Sequence, residues 1–340
     1  MKGVVFHEFG GVEKLKFEDF PEPKAGVGEI LVRIKACALN HLDIWERQGL
    51  PGVNLPHISG SDIAGVVEEC GASVEGIKKG DEVILSPGIS CMKCSRCLNG
   101  DDNQCSQYNI IGYRNNGGYA EYIAVPQVNV LPKPTRLSFE EAASMPLVFL
   151  TAWHMLVNRA GVKPSDIVLV QAGGSGVGIA AIQIAKIFGA FVITTVGSDE
   201  KMQKAKGIGA DEVINYQRQD FEGEVKKITG KQGVDIVIEH IGPEIWDQSI
   251  RLLATNGRLV TCGATSGPSA SIDLRYVFSR HLSILGSYMG RKNELLEVLR
   301  FIESGRLKPV VHKVFELKDA ATAQQEMLDR KNFGKIVLKV

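Results

Sequence analysis

The sequence predicts an α/β protein with two domains, an antiparallel barrel-like β domain and a doubly wound parallel sheet. Residues 1–140 form a series of short β-prone segments separated by Gly, Pro or Asp turns, which is typical of an antiparallel domain. From about residue 147 onward, apolar strands alternate with helical patterns, and this alternation predicts a parallel sheet covered by helices. A length of 340 residues is sufficient for about two such domains.

The first half of the chain contains five predicted strands. Each is rich in β-branched or aromatic residues and is bounded by turn-forming residues. They span residues 4–7, 30–38, 65–69, 82–86 and 119–125. A helix-like stretch over residues 41–48 interrupts the series, and the long connections leave room for functional loops.

The second half contains six predicted strands, most of them separated by helices. The strands span residues 166–171, 191–196, 212–215, 235–239, 257–262 and 282–286, and the clearest helices span residues 177–188 and 199–208. Two helices over 293–304 and 319–328 and a last strand over 335–340 complete the chain. We expect strand 282–286 at the edge of the sheet, where unpaired backbone groups favour pairing with a second copy. This predicts a homodimer or homotetramer.

The bulk composition argues against nucleic acid and membrane partners. The chain is 44% hydrophobic and 23% charged, which is ordinary for a globular protein. Lys plus Arg and Asp plus Glu each total 39, so no net charge attracts nucleic acid or an anionic membrane. No apolar stretch approaches the roughly 18 residues that cross a bilayer. The segment MKGVVFHEFGG lacks the apolar run of a secretory signal, so we expect a cytoplasmic protein.

Four cysteines form the most informative local pattern in the chain. The pattern is C-x2-C-x2-C-x7-C, at Cys91, Cys94, Cys97 and Cys105. Four thiolates at this spacing can enclose one zinc ion in a tetrahedron that has no open position. The sequence between them is polar and glycine-bearing, so the metal would supply the folding energy of the lobe. We therefore predict one structural zinc per chain.

An iron–sulfur cluster and free thiols remain open as alternatives to zinc, whereas disulfides are disfavoured. Disulfides need an oxidising compartment, and the seven cysteines of the chain are an odd number. An iron–sulfur cluster of the bacterial ferredoxin type uses C-x2-C-x2-C-x3-C-P, whereas here the last gap is seven residues and Ser106 follows it. Zinc fits the spacing better than either.

A glycine-rich loop lies between a predicted strand and a predicted helix. Residues 172–178 read AGGSGVG, and this context favours a dinucleotide-binding turn. Gly173, Gly176 and Gly178 allow the turn to close and let a pyrophosphate approach the backbone N–H groups at the helix N-terminus. Ser175 stands where a glycine is usual, and Val177 completes the loop. A plain glycine-rich turn is the alternative.

The tip of the second strand of this sheet favours NADPH over NADH. An NAD-binding fold usually offers an acidic residue there for the adenine ribose. Residues 196–198 read VGS, so Ser198 stands at the tip without a carboxylate. Lys201 follows in the first helical turn, where a 2′-phosphate would be its partner. The alternative is a solvated Lys201 balanced by Asp199 and Glu200. NADH therefore stays possible.

The whole chain resembles the medium-chain dehydrogenase/reductase superfamily, which includes zinc-type alcohol dehydrogenases and quinone oxidoreductases. Besides the cysteine quartet and the glycine loop, the resemblance is carried by KKGDEV at 78–83, by GGYAEY at 117–122, and by G-x-D-x2-G-x5-G-x2-V at Gly60, Asp62, Gly65, Gly71 and Val74. It implies a GroES-like β-barrel catalytic domain over residues 1–146 and 289–340, with a zinc lobe at 88–108. It also implies a Rossmann dinucleotide-binding domain over residues 147–288.

The chain departs from the alcohol-oxidising members of this family at the catalytic metal. Those members bind a catalytic zinc through a Cys, a His and a second Cys. The matching positions here are Asn40, three residues before Asp43, then Ser61, and then Leu147, four residues before Thr151. Leu42 stands in place of the usual proton-relay hydroxyl. Asn40 followed by Asp43 instead resembles the zinc-free quinone and enone reductases.

The residues around Asn40 are therefore the candidate catalytic residues. Asn40 also has the sequence features of a helix N-cap, with Asp43 at the third helical position, and both roles can hold together. His41 could donate a hydrogen bond to a substrate carbonyl or a cofactor hydroxyl, or it could be a surface histidine. A substitute metal bound by His41, His57 and Asp62 is a further alternative, without support from spacing.

The resemblance implies further cofactor contacts in both halves of the chain. Thr151 would pack beside the nicotinamide, and Gly263 and Ser287 would lie near it. Tyr216 would flank the adenine ribose phosphate. Lys335 would reach the cofactor phosphates.

Together these features predict an NAD(P)H-dependent oxidoreductase of small molecules. Without a catalytic metal, an unactivated carbonyl is poorly polarised, whereas a quinone or an α,β-unsaturated carbonyl has its own electron sink. We therefore predict metal-free reduction of such substrates with NADPH. The alternatives are an alcohol dehydrogenase with a non-standard zinc site and a non-enzymatic NADPH-binding protein.

Overall fold

The computed structural model describes residues 1–340, which divide into two compact units. One unit comprises Met1–Leu147 together with Arg291–Val340, and the other comprises Val148–Gly290. The first unit is therefore discontinuous in sequence. No helix of the protein combines the length and the apolar character that a membrane crossing requires.

Seventeen strands and eleven α-helices make up the two units. The strands are β1 (Lys2–Val5), β2 (Lys16–Asp19), β3 (Glu29–Ala38), β4 (Asp62–Cys70), β5 (Glu82–Leu85), β6 (Gly88–Ile89), β7 (Asn109–Ile110), β8 (Tyr122–Pro126), β9 (Val130–Pro132), β10 (Ile167–Val170), β11 (Phe191–Val196), β12 (Glu212–Asn215), β13 (Val234–Glu239), β14 (Leu253–Thr261), β15 (Ser283–Gly286), β16 (Val311–Glu316) and β17 (Lys335–Lys339). The helices are α1 (His41–Gln48), α2 (Ser95–Leu98), α3 (Phe139–Ala143), α4 (Pro146–Trp153), α5 (Gly176–Ile187), α6 (Asp199–Gly207), α7 (Phe221–Ile228), α8 (Trp246–Arg251), α9 (Leu274–Ser279), α10 (Lys292–Glu303) and α11 (Ala320–Leu328). A π-helix over His154–Ala160 and four short 3-10 helices complete the structure.

The first unit is built on a mostly antiparallel sheet of order β16-β17-β3-β4-β5-β9. The ten-residue strand β3 is its spine, because it pairs antiparallel with β4, β8 and β17. The register between β3 and β4 shifts twice, with an extra residue on β4 at Glu68 and on β3 at Lys35, and such bulges bend strands locally. Its buried face holds a core of Val, Ile and Leu side chains, with Phe6 and Tyr119 among the largest. The predicted antiparallel domain is confirmed.

The second unit is a six-stranded parallel sheet of order β12-β11-β10-β13-β14-β15. From β10 the chain first adds strands on one side, to β12, and then adds β13 to β15 on the other side. The direction in which strands are added therefore reverses between β10 and β13. Ligands of such doubly wound sheets bind at the carboxyl ends of the strands at this reversal. The predicted Rossmann sheet is confirmed, and β15 lies at an edge as expected.

Candidate active site and structural metal centre

Asn40 lies at the junction of β3 and α1 and caps that helix with its backbone. Its φ of −129° is extended, and its N–H donates to Asp43 Oδ2 at 2.7 Å. Asn40 is buried, and Asp43 is fully buried. The N-cap interpretation of the sequence is therefore correct for the backbone, while the Asn40 side chain is directed elsewhere.

The Asn40 amide is held at both ends by an ion pair. Asn40 Oδ1 accepts from Lys335 Nζ at 2.6 Å, and Asn40 Nδ2 donates to Asp62 Oδ2 at 2.9 Å. Lys335 Nζ also lies 3.0 Å from Asp62 Oδ2. Because donor and acceptor are fixed in this way, the amide has one orientation.

Asp62 links this cluster to a third chain segment. Its other oxygen, Oδ1, accepts the backbone N–H of Leu147 at 2.8 Å. The structure therefore gathers two of the positions assigned to lost zinc ligands, Asn40 and Leu147, around one buried carboxylate. Ser61, at the other such position, is fully buried, and its hydroxyl has no hydrogen-bond partner.

Lys335 has different partners from those that the sequence suggested. The resemblance assigned it to the cofactor phosphates, whereas its ammonium here bonds to Asn40 and Asp62 and its side chain is only 6% exposed. The phosphate role stays a prediction. β17 brings Lys335 to this place by pairing with the end of β3 that precedes Asn40.

Two further buried acidic residues, Asp43 and Glu46, lie on α1 itself. Tyr119 donates its hydroxyl to Asp43 Oδ2 at 2.7 Å. Burial raises the pKa of Asp43 to about 6, against the opposing effect of the Asn40 N–H and the Tyr119 hydroxyl. Burial, and then the charge of Asp43, raise the pKa of Glu46 well above its usual range. The contacts of Asp43 are those of a positioning residue that orients Asn40.

The two histidines of this region are not arranged as metal ligands. His41 packs edge-on against Trp45 at 5.3 Å, and burial, helped by the Arg330 charge, lowers its pKa. His57 is buried and donates from Nε2 to the Gly112 carbonyl at 2.7 Å. A neutral His41 retains one ring N–H that can donate to a substrate. The Nε2–H of His57 is already bonded to the Gly112 carbonyl oxygen.

The four cysteines converge as a metal site requires. Three of their Sγ–Sγ distances are 3.5, 3.8 and 3.9 Å, and all four sulfurs lie within 4.8 Å of one another. A Zn–S bond of about 2.3 Å places the sulfurs of a regular tetrahedron about 3.8 Å apart. The four residues that would bind the ion are Cys91, Cys94, Cys97 and Cys105. The residues present therefore fit a structural zinc ion.

The pKa values of two of these thiols shift in opposite directions. The backbone N–H groups of Lys93 and Cys94 lower the pKa of Cys91 to about 6. Burial raises the pKa of Cys97 to about 11. Four thiolates within 4.8 Å of one another would repel each other, and a bound cation would offset that repulsion.

The glycine loop has the geometry of a dinucleotide-binding turn. It connects β10 to α5, and Ser175 caps α5 by accepting the Gly178 N–H at 2.9 Å. A Cβ on Gly178 would lie 2.4 Å from the Ala172 carbonyl oxygen, and one on Gly173 would lie 2.1 Å from Thr194 Oγ1. Glycine is therefore required at both positions. Gly176 and Val177 form the first turn of α5, which begins one residue before the predicted start.

The tip of β11 carries a cluster that sequence reasoning found only in part. Ser198 caps α6 by accepting the Lys201 N–H at 3.3 Å, and burial lowers the pKa of Lys201. The Asp199 carboxylate is turned to Asn215, whose Nδ2 donates at 2.7 Å, and to an ion pair with Arg218. Sequence reasoning missed Arg218. Its only signal was a basic residue just beyond the third strand.

Tyr216 completes this cluster. A Cβ on Gly197 would lie 2.7 Å from the Tyr216 hydroxyl, so the phenol ring lies over the end of β11. Tyr216 is 39% exposed, which leaves a flat aromatic surface next to Ser198. The arrangement suits a ribose and its phosphate.

A cavity of about 590 Å³ opens at the carboxyl ends of β13, β14 and β15. Gly263 and Ser287 both line it, so the structure brings these two predicted cofactor contacts together. The Ser287 N–H donates to the Thr261 carbonyl at 2.8 Å. Thr151 is buried in the same unit, and its hydroxyl has no hydrogen-bond partner.

Comparison with known proteins agrees with this geometry. Residues 26–135 match the alcohol dehydrogenase GroES-like domain, and residues 176–304 match the zinc-binding dehydrogenase family. A NAD-dependent alcohol dehydrogenase of Sulfolobus acidocaldarius is 36% identical over 349 residues, with 100% of both chains covered. The chain belongs to the medium-chain dehydrogenase/reductase superfamily.

Other members of this superfamily extend the comparison. Human quinone oxidoreductase is 30% identical, covering 99% of this chain and 97% of its own length. A crystal structure of a NAD-dependent alcohol dehydrogenase is 50% identical, with a TM-score of 0.97 and full coverage of both chains. This medium-chain protein is therefore an oxidoreductase, with the fold and the cysteine lobe that the sequence predicted.

Proposed function

We propose that this medium-chain oxidoreductase reduces quinones or α,β-unsaturated carbonyls with a reduced nicotinamide cofactor and without a catalytic metal ion. The observation that carries the proposal is the environment of Asn40. Its amide, at a position assigned to a zinc ligand, is bonded by an ammonium and a carboxylate. Leu147, at another such position, contributes only its backbone N–H. Substrates with their own electron sink need no Lewis acid.

The residues of the site have distinct tasks in this reaction. When bound, the nicotinamide supplies the hydride. Asn40 Nδ2 uses one N–H on Asp62, so the second N–H is left to donate to a substrate oxygen. Such a donor stabilises the negative charge that develops on that oxygen, and it works best when its orientation is fixed beforehand. Lys335 and Asp62 provide that fixed orientation.

The test is NAD(P)H oxidation with a panel of quinones and enones, before and after a chelator that leaves the cysteine-bound zinc in place. We expect turnover that the chelator does not lower. The second candidate is an alcohol dehydrogenase with a non-standard catalytic zinc site, because two relatives are named NAD-dependent alcohol dehydrogenases. Oxidation of simple primary alcohols that appears only with added zinc would establish that candidate and reject the proposal.

We propose NADPH as the preferred cofactor. Ser198 and Lys201 follow the end of β11, and the Asp199 carboxylate is already paired with Asn215 and Arg218. Lys201→Ala should weaken NADPH binding about 10-fold, the effect of losing one charge-assisted bond, and NADH binding less than about 2-fold. Cofactor fluorescence titrations measure both.

Lys206→Ala is the matched control, because Lys206 is exposed on the same helix. It should leave both affinities unchanged. Equal losses of NADPH and NADH in the Lys201 variant would show that Lys201 does not bind the 2′-phosphate. A wild-type preference for NADH would contradict the assignment of the whole cluster.

We also propose that the chain forms a homodimer or homotetramer through the β15 edge. Ile284 on β15 is 37% exposed, and the preceding helix α9 exposes Leu274 and Phe278. An apolar edge of this kind is covered by pairing with a second copy. Light scattering at micromolar concentration should give an oligomer, and Ile284→Asp should shift it toward monomer. Phe17→Asp, an exposed site in the first unit, is the control, and a monomeric wild type would refute the proposal.

A further inference from the structure

The Lys335 ammonium is the buried cation of the Asn40 site. Its side chain is 6% exposed, and its two bonds are to Asn40 Oδ1 and Asp62 Oδ2. An ammonium has three N–H donors, so one donor is left. A buried cation with an uncommitted donor is an unusual feature of a protein interior.

The Asp62 carboxylate fixes the position of this cation by an ion pair of 3.0 Å. Its two oxygens accept three hydrogen bonds, from Lys335 Nζ, from Asn40 Nδ2 and from the Leu147 N–H. It is fully buried, so its negative charge has Lys335 as its direct cationic partner. The positive charge is therefore fixed in place among the very positions that the zinc-dependent members of the family use for metal binding.

We infer that the Lys335 ammonium serves as the electrophile and proton donor of the reaction, in place of a catalytic metal ion. This inference rests on the proposed reduction of conjugated carbonyls. With Asn40 Nδ2, the third N–H of Lys335 forms a pair of donors for one substrate oxygen. A positive charge next to that oxygen lowers the energy of the anion formed there, as a Lewis acid would.

The step balances without a further reactant. An enone receives a hydride at its β-carbon from the reduced nicotinamide, which becomes oxidised, and the electron pair of the C=C bond moves to give an enolate oxygen. The Lys335 N–H bond breaks while an O–H bond forms on that oxygen, leaving an enol and a neutral amine. Water protonates the amine, and the enol becomes the saturated carbonyl by gaining a proton at its α-carbon and losing its O–H proton. One NAD(P)H and one proton are consumed.

The inference predicts a difference between substrate classes. Hydride transfer to an enone has a small driving force, so its transition state carries much negative charge on the oxygen and gains much from a donor there. Reduction of a quinone gains aromaticity, so its transition state comes earlier and depends less on that donor. Removal of the ammonium should therefore slow enone reduction more than quinone reduction, whereas simple damage to the site would slow both equally.

The experiment compares wild type with Lys335→Met combined with Asp62→Asn, which removes both charges together. The double change avoids an unpaired buried carboxylate, which would itself destabilise the protein. Lys335→Arg is the second variant and keeps the charge. Lys339→Met is the control, because Lys339 lies on the same strand and is exposed. Thermal melting and circular dichroism establish that each variant is folded.

We expect kcat/KM for enones to fall at least 100-fold in the double variant, which is the scale of losing a proton donor. The loss for quinones should be at least 10-fold smaller, and the Kd of NADPH should change less than about 2-fold. Lys335→Arg should recover part of the enone rate. A folded double variant with wild-type enone turnover would overturn the inference.

Two other outcomes would also overturn it. A large loss of NADPH affinity with kcat retained would show that Lys335 binds the cofactor phosphates. Equal losses for enones and quinones would show a purely structural role. Each of these results leaves the proposed function standing, because that function is tested by wild-type turnover alone.

Discussion

Cys97→Ser is expected to abolish zinc binding and to leave most of the protein aggregated. The four sulfurs lie within 4.8 Å of one another, and the lobe that they hold is short and polar. Zinc binding at such structural sites contributes about 10–16 kcal/mol, against a total stability of about 5–15 kcal/mol for a typical domain. Losing one ligand therefore removes more free energy than the first unit can spare.

Metal analysis and the soluble yield measure this effect. The wild type should contain close to one zinc per chain. Cys70→Ser is the matched control, since Cys70 lies outside the quartet and donates only a long bond to the Ile77 carbonyl at 3.5 Å. A soluble Cys97→Ser protein that retains its zinc would contradict the assignment. Two tightly bound zinc ions in the wild type would contradict the reading of Asn40, Ser61 and Leu147.

Gly178→Ala is expected to abolish cofactor binding while leaving the protein folded. The added methyl would lie 2.4 Å from the Ala172 carbonyl oxygen and 2.9 Å from Gly173 Cα, and both are backbone atoms. The loop must therefore move, and with it the N–H groups at the start of α5. We expect the Kd of NADPH to rise at least 100-fold, or about 2.7 kcal/mol.

Gly207→Ala is the control for a glycine change in this unit. Gly207 ends α6, and a Cβ there would meet nothing within 4 Å. Cofactor affinity should be unchanged in this variant, and its melting temperature should be equal or slightly higher. Unchanged NADPH binding in Gly178→Ala would show that the loop does not hold the pyrophosphate.

The elements of the sheet in the second unit could be predicted because their signals are local. Strand β11 and strand β12 have the predicted bounds, and α5 and α6 begin within one residue of the prediction. The capping of α1 by Asn40 could also be predicted, because its partner Asp43 is only three residues away in the sequence. Short-range periodicity and caps carry this information.

The partners of Lys335 could not be predicted in this way. Lys335 and Asn40 are 295 positions apart, and the contact exists because β17 pairs with β3. No periodicity or spacing encodes a pairing at that distance. Arg218 was missed for a related reason, because its approach to Asp199 depends on how β12 follows α6 in the fold.

The discontinuity of the first unit has a consequence for synthesis of the chain. All of the second unit, Val148–Gly290, leaves the ribosome before the last strands of the first unit are made. Strand β3 therefore waits with an open edge until β17 emerges, and Asp62 waits without its cation. A polypeptide that terminates early keeps its glycine loop and cysteines but lacks Lys335. The cluster of Asn40, Asp62 and Lys335 therefore cannot form before β17 has been synthesised.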